Sequence, residues 1–369
     1  MMAVSVRAPG KLMLMGEYAV TELGHPGVVA AVDRYLHCRI SSGQSFSAIF
    51  GNGDAHAVVV EAPGWSPLLD RIAAKPDLRL AAQALVVLDQ YFRALHLDPR
   101  PFHLVTFSDL QAPSGTKYGL GSSAALTVGV VSALLKWTLP WSPRKEEIFK
   151  LAALAHLAVQ PRGSLADVAA GVFGGIIHYE RFDPGWVSQY AASQKLTELI
   201  ERPWPGLVVK PLDTRSAVPW QVGWTGQSAS TPALLDRVAR FCEAHPDEFA
   251  RFLARSDTAV GHFVKALVAR DGPAIIEAVR KNRHALKELS ERAQLGIETP
   301  MMRAALNMAE AWGGAGKSSG AGAGDIIVAW MPGTQNARLR QAWNRLGIAT
   351  LPLRIEPAGV VLNVVEHSD

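Results

Sequence analysis

The sequence predicts an α+β fold in two domains. Three observations carry this. Segments of strand character and segments of helical length are mixed without strict βαβ alternation, which favours layered α+β architecture. The chain has 369 residues, and a single core rarely grows past roughly 250–300 residues. The run Arg202-Pro203-Trp204-Pro205-Gly206 interrupts the pattern with two prolines and a glycine. An N-terminal domain of residues 1–204 and a C-terminal domain of residues 205–369 are therefore expected.

The elements follow in order. Val4–Arg7 alternates and reads as a strand ending at Ala8-Pro9-Gly10, with a short buried strand over Leu12–Met15. Val28–Val32, Leu36–Ile40 and Ala57–Glu61 read as further strands. Leu78–Leu95 has helical length and no interior Gly or Pro; Phe102–Phe107 reads as a strand. Ser123–Trp137 reads as a helix buried on most faces. Pro143–Val159 is a second helix, with Ser142 as N-cap, Pro143 at the first position and Glu146 and Glu147 in the first turn. A short helix starts within Gly163–Asp167. Beyond the boundary, Leu207–Lys210 and Gln221–Trp224 read as strands, and Leu234–Leu253, Ala274–Leu295 and Thr299–Trp312 as helices. A Gly-rich loop, Gly313–Gly324, precedes an apolar strand over Ile326–Trp330.

Composition narrows the function. The chain is 49% hydrophobic and 19% charged, which is ordinary for a globular protein with a large core. Its two cysteines, Cys38 and Cys242, lie far apart and lack metal-ligand spacing, which suits a reducing compartment. The net charge is only +4, without a basic run, so nucleic acid is not an expected partner. Leu120–Leu135 comes nearest to a membrane span, but it is rich in Gly, Ala and Ser and is cut off by Lys136. A cytoplasmic protein without a membrane partner is expected, as a monomer or homodimer.

Three loops carry chemistry. Gly119-Leu120-Gly121-Ser122-Ser123-Ala124-Ala125 opens the buried helix. Such a junction offers bare N–H groups and the positive end of a helix dipole to an anion, although it also suits a plain capped turn. Lys11 stands in the apolar run Pro9–Met15, where a lysine is costly unless its head reaches water or an anion. Ala311–Ser318 lies close to the P-loop pattern, but a helix precedes and a strand follows, the reverse of what a P-loop needs. Lys317 and the serines beside it remain candidate anion contacts. Asp167 stands alone among small and apolar residues, either as an N-terminal helix charge or as a placed catalytic group.

Taken together and in order, these segments resemble the GHMP kinase superfamily of galactose, homoserine, mevalonate and phosphomevalonate kinases. The first motif falls at Ala8-Pro9-Gly10-Lys11, the second at Gly119–Ala125 and the third at Ser319–Asp325, so the likeness spans the chain. Gly16-Glu17-Tyr18, Gly223-Trp224-Thr225-Gly226 and Lys317-Ser318-Ser319-Gly320 look most like the bacterial-type phosphomevalonate kinase branch. The resemblance implies a ribosomal protein S5 domain 2-like N-terminal half and a ferredoxin-like C-terminal half, with the site in the cleft between. It also implies phosphoryl transfer from ATP to 5-phosphomevalonate, with Mg²⁺. Mevalonate kinase, diphosphomevalonate decarboxylase and a non-catalytic ATP sensor are the alternatives.

The resemblance further implies residue roles. Gly119, Leu120, Gly121, Ser122, Ser123 and Ala124 wrap the nucleotide phosphates, with Ser123 on the metal. Lys11 and Asp167 are catalytic. Tyr18, Lys117, Ser164, Lys317, Ser318, Ser319, Gly320 and Ala321 hold the acceptor, with Arg34, Arg215 and Arg283 as further candidate cations. Two departures stand out. His156-Leu157-Ala158 occupies the stretch where mevalonate kinases carry a metal-binding glutamate, and Gln160–Leu165 replaces the usual Gly-Ser-Gly loop.

Overall fold

A computed structural model describes residues 2–51, 57–193, 196–212, 220–227, 231–333 and 335–366. Arg215 lies outside them. Two sheets organise the chain, as the α+β reading requires.

The first sheet is built on two long antiparallel strands, β1 (Met2–Met15) and β2 (Pro26–Ser42). The break expected at Ala8-Pro9-Gly10 does not end β1. Pro9 pairs with Tyr35 and Gly10 with Val32, so the irregularity is absorbed as a register shift in which β2 bulges. The two strands expected over 28–40 are likewise one. On the side away from β1, β2 is shared. Its first half pairs with β6 (Ile176–Glu180) and its second half with β5 (Phe102–Ser108). Outward from β5 lie β3 (Phe46–Phe50), which is parallel to it, and β4 (Val58–Ala62).

Two strands from beyond residue 205 complete this sheet. β7 (Val208–Leu212) pairs with β6, and β12 (Val361–Glu366) pairs with β1. A division at 204/205 therefore cuts between hydrogen-bonded neighbours. The Pro-rich run there is a connection inside the first layer, with Trp204 buried against Phe182.

Helices cover the sheet. α1 (Trp65–Ala73) packs on α2 (Arg79–Ala94), which lies against α3 (Ser122–Thr138) and α4 (Lys145–Val159). α3 is apolar all round because it lies inside the layer, with Val128, Val130, Val131, Leu134 and Leu135 fully buried. α4 starts two residues later than Pro143. Its cap is a box in which the Glu147 carboxylate accepts from the Arg144 N–H, rather than Ser142. The short helix α5 (Ala166–Phe173) packs on β1 and β2, and α6 (Pro184–Ser193) and α7 (Leu196–Glu201) follow β6.

The second sheet runs β11-β8-β10-β9, all antiparallel: β8 (Trp220–Trp224), β9 (Ala315–Ser318), β10 (Ile326–Trp330) and β11 (Ala349–Leu351). α11 (Pro300–Ala311) and α12 (Gln335–Arg345) pack on it, with Thr299 capping α11. The helix expected over Leu234–Leu253 is two, α8 (Thr231–Ala244) and α9 (Pro246–Ala269). Pro246 supplies no N–H for a continuing helix but suits the start of the next. α10 (Gly272–Arg292), capped by Asp271, packs on both α9 and β9, while α9 also touches β1 and β2. Helices thus join the two sheets.

Candidate active site

A cleft of about 360 Å³ opens where the motif loops meet. Its geometry begins at Gly10. A Cβ there would lie 2.8 Å from the Leu120 carbonyl oxygen, so only glycine lets the second loop approach β1. The Lys11 N–H donates to that carbonyl at 2.9 Å, which ties the first motif to the second. The loop then turns through Gly119 (φ +85°) and Gly121 (φ +79°), left-handed conformations that favour glycine. Gly121 is the N-cap of α3, and its carbonyl accepts the first helical bond from Ala125 at 3.0 Å. The N–H groups of Ser122, Ser123 and Ala124 thus have no carbonyl one turn back, at the positive end of the helix.

Lys11 and Asp167 flank this terminus. A Cβ on Gly121 would lie 3.2 Å from Lys11 Cε and 3.7 Å from Asp167 Cβ. Lys11 Nζ donates to the Gly119 carbonyl at 3.3 Å. Asp167, in the first turn of α5, accepts from the Val168 N–H at 2.9 Å. The loop before it is pinned from behind by two residues that sequence reasoning missed. Tyr179 donates to the Ser164 carbonyl at 2.7 Å, and Arg181 donates to the carbonyls of Pro161 and Thr21. Both lie on or just after β6, where nothing in the local pattern separates them from ordinary strand residues.

The third motif closes the cleft. The Ser319 hydroxyl donates to the Met13 carbonyl at 3.0 Å and accepts from the Met13 N–H at 2.9 Å, which fastens this loop to β1. Tyr18 donates to the Ala321 carbonyl at 2.5 Å. Burial, with Glu17 and Asp325 nearby, pushes its phenol upward, so it remains a donor. Asp325, which ends the loop, lines the cleft and was overlooked as a site residue. A Cβ on Gly119 would lie 2.6 Å from its Oδ2. Burial lifts its carboxyl to about 6, against the pull of the Ile326 N–H and Lys11.

Of the expected site residues, Lys11, Tyr18, Lys117, Gly119, Gly121, Ser122, Ser123, Ser164, Asp167, Ser319, Gly320 and Ala321 line this cleft. Four turn elsewhere. Leu120 and Ala124 bury their side chains in the core beneath the loop. Lys317 is fully buried, and its ammonium is taken up by the Glu17 carboxylate and the Ser318 carbonyl. Ser318 is buried beside it. Both sit on β9, where pairing with β10 and burial replace the loop that the glycines suggest. Arg283 is spent as well. It is buried and bound to Glu298 at 2.7 and 2.9 Å, to Asn307 and to Glu310. Arg34 lines a second, larger cleft of about 1040 Å³, together with Phe107, Asp109 and Arg79. The two clefts share Lys117, Ser122 and Ser123.

The donor set fits a cation that arrives with a nucleotide. Ser123 and Asp167 offer oxygen atoms, and among the described residues no group of three or more His, Cys, Asp or Glu forms a cage of its own. Mg²⁺ is held in this way, by one or two protein oxygens, phosphates and waters.

Fold and site together define a class, a two-sheet α+β protein with a helix N-terminus, a lysine and an aspartate around an anion-sized cleft. Comparison with known proteins makes the class specific. The model of the GHMP kinases N terminal domain matches residues 79–175, and that of the GHMP kinases C terminal matches residues 263–349. Phosphomevalonate kinase from Streptomyces sp. (strain CL190) is 33% identical over 364 residues, covering 94% of this chain and 95% of the relative. A Lin0012 protein from Listeria innocua superposes with a TM-score of 0.88 at 31% identity, covering 99% of this chain and 100% of that one. Streptococcus pneumoniae phosphomevalonate kinase in complex with phosphomevalonate and AMPPNP superposes with a TM-score of 0.82 at 26% identity, covering 96% and 100%. The chain belongs to the GHMP kinase family.

Proposed function

We propose that the protein transfers the γ-phosphoryl group of ATP to (R)-5-phosphomevalonate, giving ADP and (R)-5-diphosphomevalonate. The observation that carries this reading is the meeting of two clefts at the N-terminus of α3, with Lys11 and Asp167 on the acceptor side. The larger cleft takes the nucleotide and the smaller one the acceptor, and the shared Ser122 and Ser123 lie where the transferred group passes. The acceptor is read from the relatives, since the protein from Streptomyces that bears the phosphomevalonate kinase name is 33% identical, whereas relatives named mevalonate kinases reach 28%.

Phosphoryl transfer asks mainly for positioning and charge neutralisation. The bare N–H groups of α3 cradle phosphate oxygens, and Lys11 offsets charge on the group in flight. Mg²⁺, held by Ser123 and Asp167, supplies further charge neutralisation when bound. A phosphomonoester has a second pKa of about 6 and is largely ionised at neutral pH, so the nucleophile needs little help in losing a proton. Asp167 then orients more than it deprotonates.

The test is ADP release with mevalonate, 5-phosphomevalonate and 5-diphosphomevalonate offered in turn, with CO₂ measured alongside. ADP is expected with 5-phosphomevalonate alone and without CO₂. Turnover of mevalonate instead would assign the chain to the mevalonate kinases, and no ADP with any of the three would leave only a nucleotide-binding role.

A further inference from the structure

His156 lies in the last turn of α4 and is 2% exposed. It forms part of the wall of the acceptor cleft, with Gln160, Ser164 and Asp167. Its backbone is satisfied, since its carbonyl accepts from the Gln160 N–H at 2.9 Å. Its ring is not. Neither Nδ1 nor Nε2 has a hydrogen-bond partner, and both are sealed from bulk water. An imidazole always carries at least one N–H donor. Burying it unpaired destabilises the fold, and an apolar side chain of similar size would fill the space without that cost. An unpaired polar group of this kind on the wall of a ligand cleft is explained if the ligand completes it. The ring torsion χ2 is soft, so turning a ring nitrogen toward the cleft needs no movement of α4.

We propose that His156 is a further substrate-contacting residue of this site, whose imidazole N–H donates a hydrogen bond to a phosphoryl oxygen when the clefts are filled. The inference rests on the reading of these clefts as phosphoryl-binding. A phosphoryl oxygen suits the position because Lys11 and the α3 N-terminus already gather negative charge there. Mg²⁺ takes oxygen ligands in preference to imidazole, so a direct bond to the metal is the poorer use of the ring. The oxygen comes either from the nucleotide or from the phosphorylated acceptor.

The experiment compares wild type, His156→Leu and His156→Gln in three readouts: Tm of the free protein, Tm shift with ADP–Mg²⁺, 5-phosphomevalonate or both, and kcat/KM. His156→Leu is expected to match or exceed the wild-type Tm, because it removes the unpaired group. Its kcat/KM should nevertheless fall by roughly 10- to 100-fold, the loss of one hydrogen bond to a charged partner. The ligand whose Tm shift shrinks is the one that supplies the oxygen. His156→Gln keeps a donor and should recover part of the loss. Wild-type kcat/KM and shifts in His156→Leu would overturn the proposal. So would a joint fall of Tm and activity with no recovery in His156→Gln, which marks a packing residue. Should His156→Leu not fold, the imidazole ¹⁵N resonance missing from His156→Gln decides in the unmodified protein, since it must move on saturation with one of the ligands. If wild type does not turn over 5-phosphomevalonate, the acceptor reading fails, while the ADP–Mg²⁺ arm still tests His156.

Discussion

Lys11 and Asp167 occupy one spot but should matter unequally. Each lies within van der Waals reach of the position a Cβ on Gly121 would take. With a phosphate oxygen as nucleophile, the barrier comes chiefly from bringing two polyanions together, and a cation lowers it more than a base does. Lys11→Met is therefore expected to lower kcat by about 10²–10³-fold, and Asp167→Asn by clearly less. Steady-state kinetics of both variants decide the order, and a larger loss at Asp167 returns the general-base role to it. Asp325 adds a pH dependence. Its carboxyl is raised from 3.8 to about 6 by burial. Between these values the folded protein holds a proton that the unfolded chain releases. The stability this provides is complete below about pH 4 and is lost as pH rises through 6. At about 1.4 kcal/mol per pK unit, the loss approaches about 3 kcal/mol at neutral pH. Asp325→Asn keeps an oxygen for the Ile326 N–H, which Asp325 holds at 2.7 Å, and removes the charge. Urea unfolding at pH 4.5 and 7.5 should show the variant gaining on wild type clearly more at the higher pH. An equal gain at both would acquit the carboxylate.

The α3 N-terminus depends on glycines packed from outside the helix, and this is where the sequence speaks most clearly and least completely. Helical length, apolar faces and end signals expose α2, α3, α10 and α11, because periodicity and caps are local properties. The missed elements are those whose identity is set from afar. β9 reads Ala-Gly-Lys-Ser, a loop by composition, yet all four residues are buried because β10 pairs with them. α1, α6, α7, α12, β3, β6, β11 and β12 also escape the sequence reading, and the strands among them take their form from the neighbours they pair with. Gly119 shows the same dependence within the site. Its positive φ is readable as turn chemistry, but the carboxylate of Asp325 that fills its Cβ space lies some two hundred residues on in the sequence and appears only in three dimensions. Gly119→Ala combines backbone strain, about 1–3 kcal/mol for a non-Gly residue in such a conformation, with a clash on Asp325. It should weaken ADP binding by about tenfold or more while α3 itself persists. Calorimetric titration with ADP and far-ultraviolet circular dichroism report the two effects separately. Unchanged ADP affinity would mean that the loop accommodates a side chain and that glycine is not what shapes the cradle.

Across the whole molecule, the two sheets are joined by a buried polar knot rather than by apolar packing alone. Glu17 follows β1, Lys317 lies on β9 and Asn282 on α10. The Glu17 carboxylate receives Lys317 Nζ on one oxygen and Asn282 Nδ2, at 3.1 Å, on the other. The side chains of Glu17 and Lys317 are 1% and 0% exposed, so neither reaches solvent. Burial pushes the Lys317 ammonium downward, and the Glu17 carboxylate opposes that shift. This explains why Lys317 reads from sequence as an anion contact. Its proximity to a phosphate-like loop is real, but its anion is internal, and Glu17 gives no local sign of being that partner. A buried ion pair adds little net stability over apolar packing, yet removing one member leaves an uncompensated charge at a cost of about 3–5 kcal/mol. Glu17→Gln should destabilise the protein by that amount in urea unfolding at pH 7. Lys317→Met added to Glu17→Gln should return most of it, because no charge is then stranded. The double variant thus separates two roles that the single variant confuses. If adding Lys317→Met restores nothing, the knot holds the sheets through its geometry and its Asn282 bond rather than through paired charge.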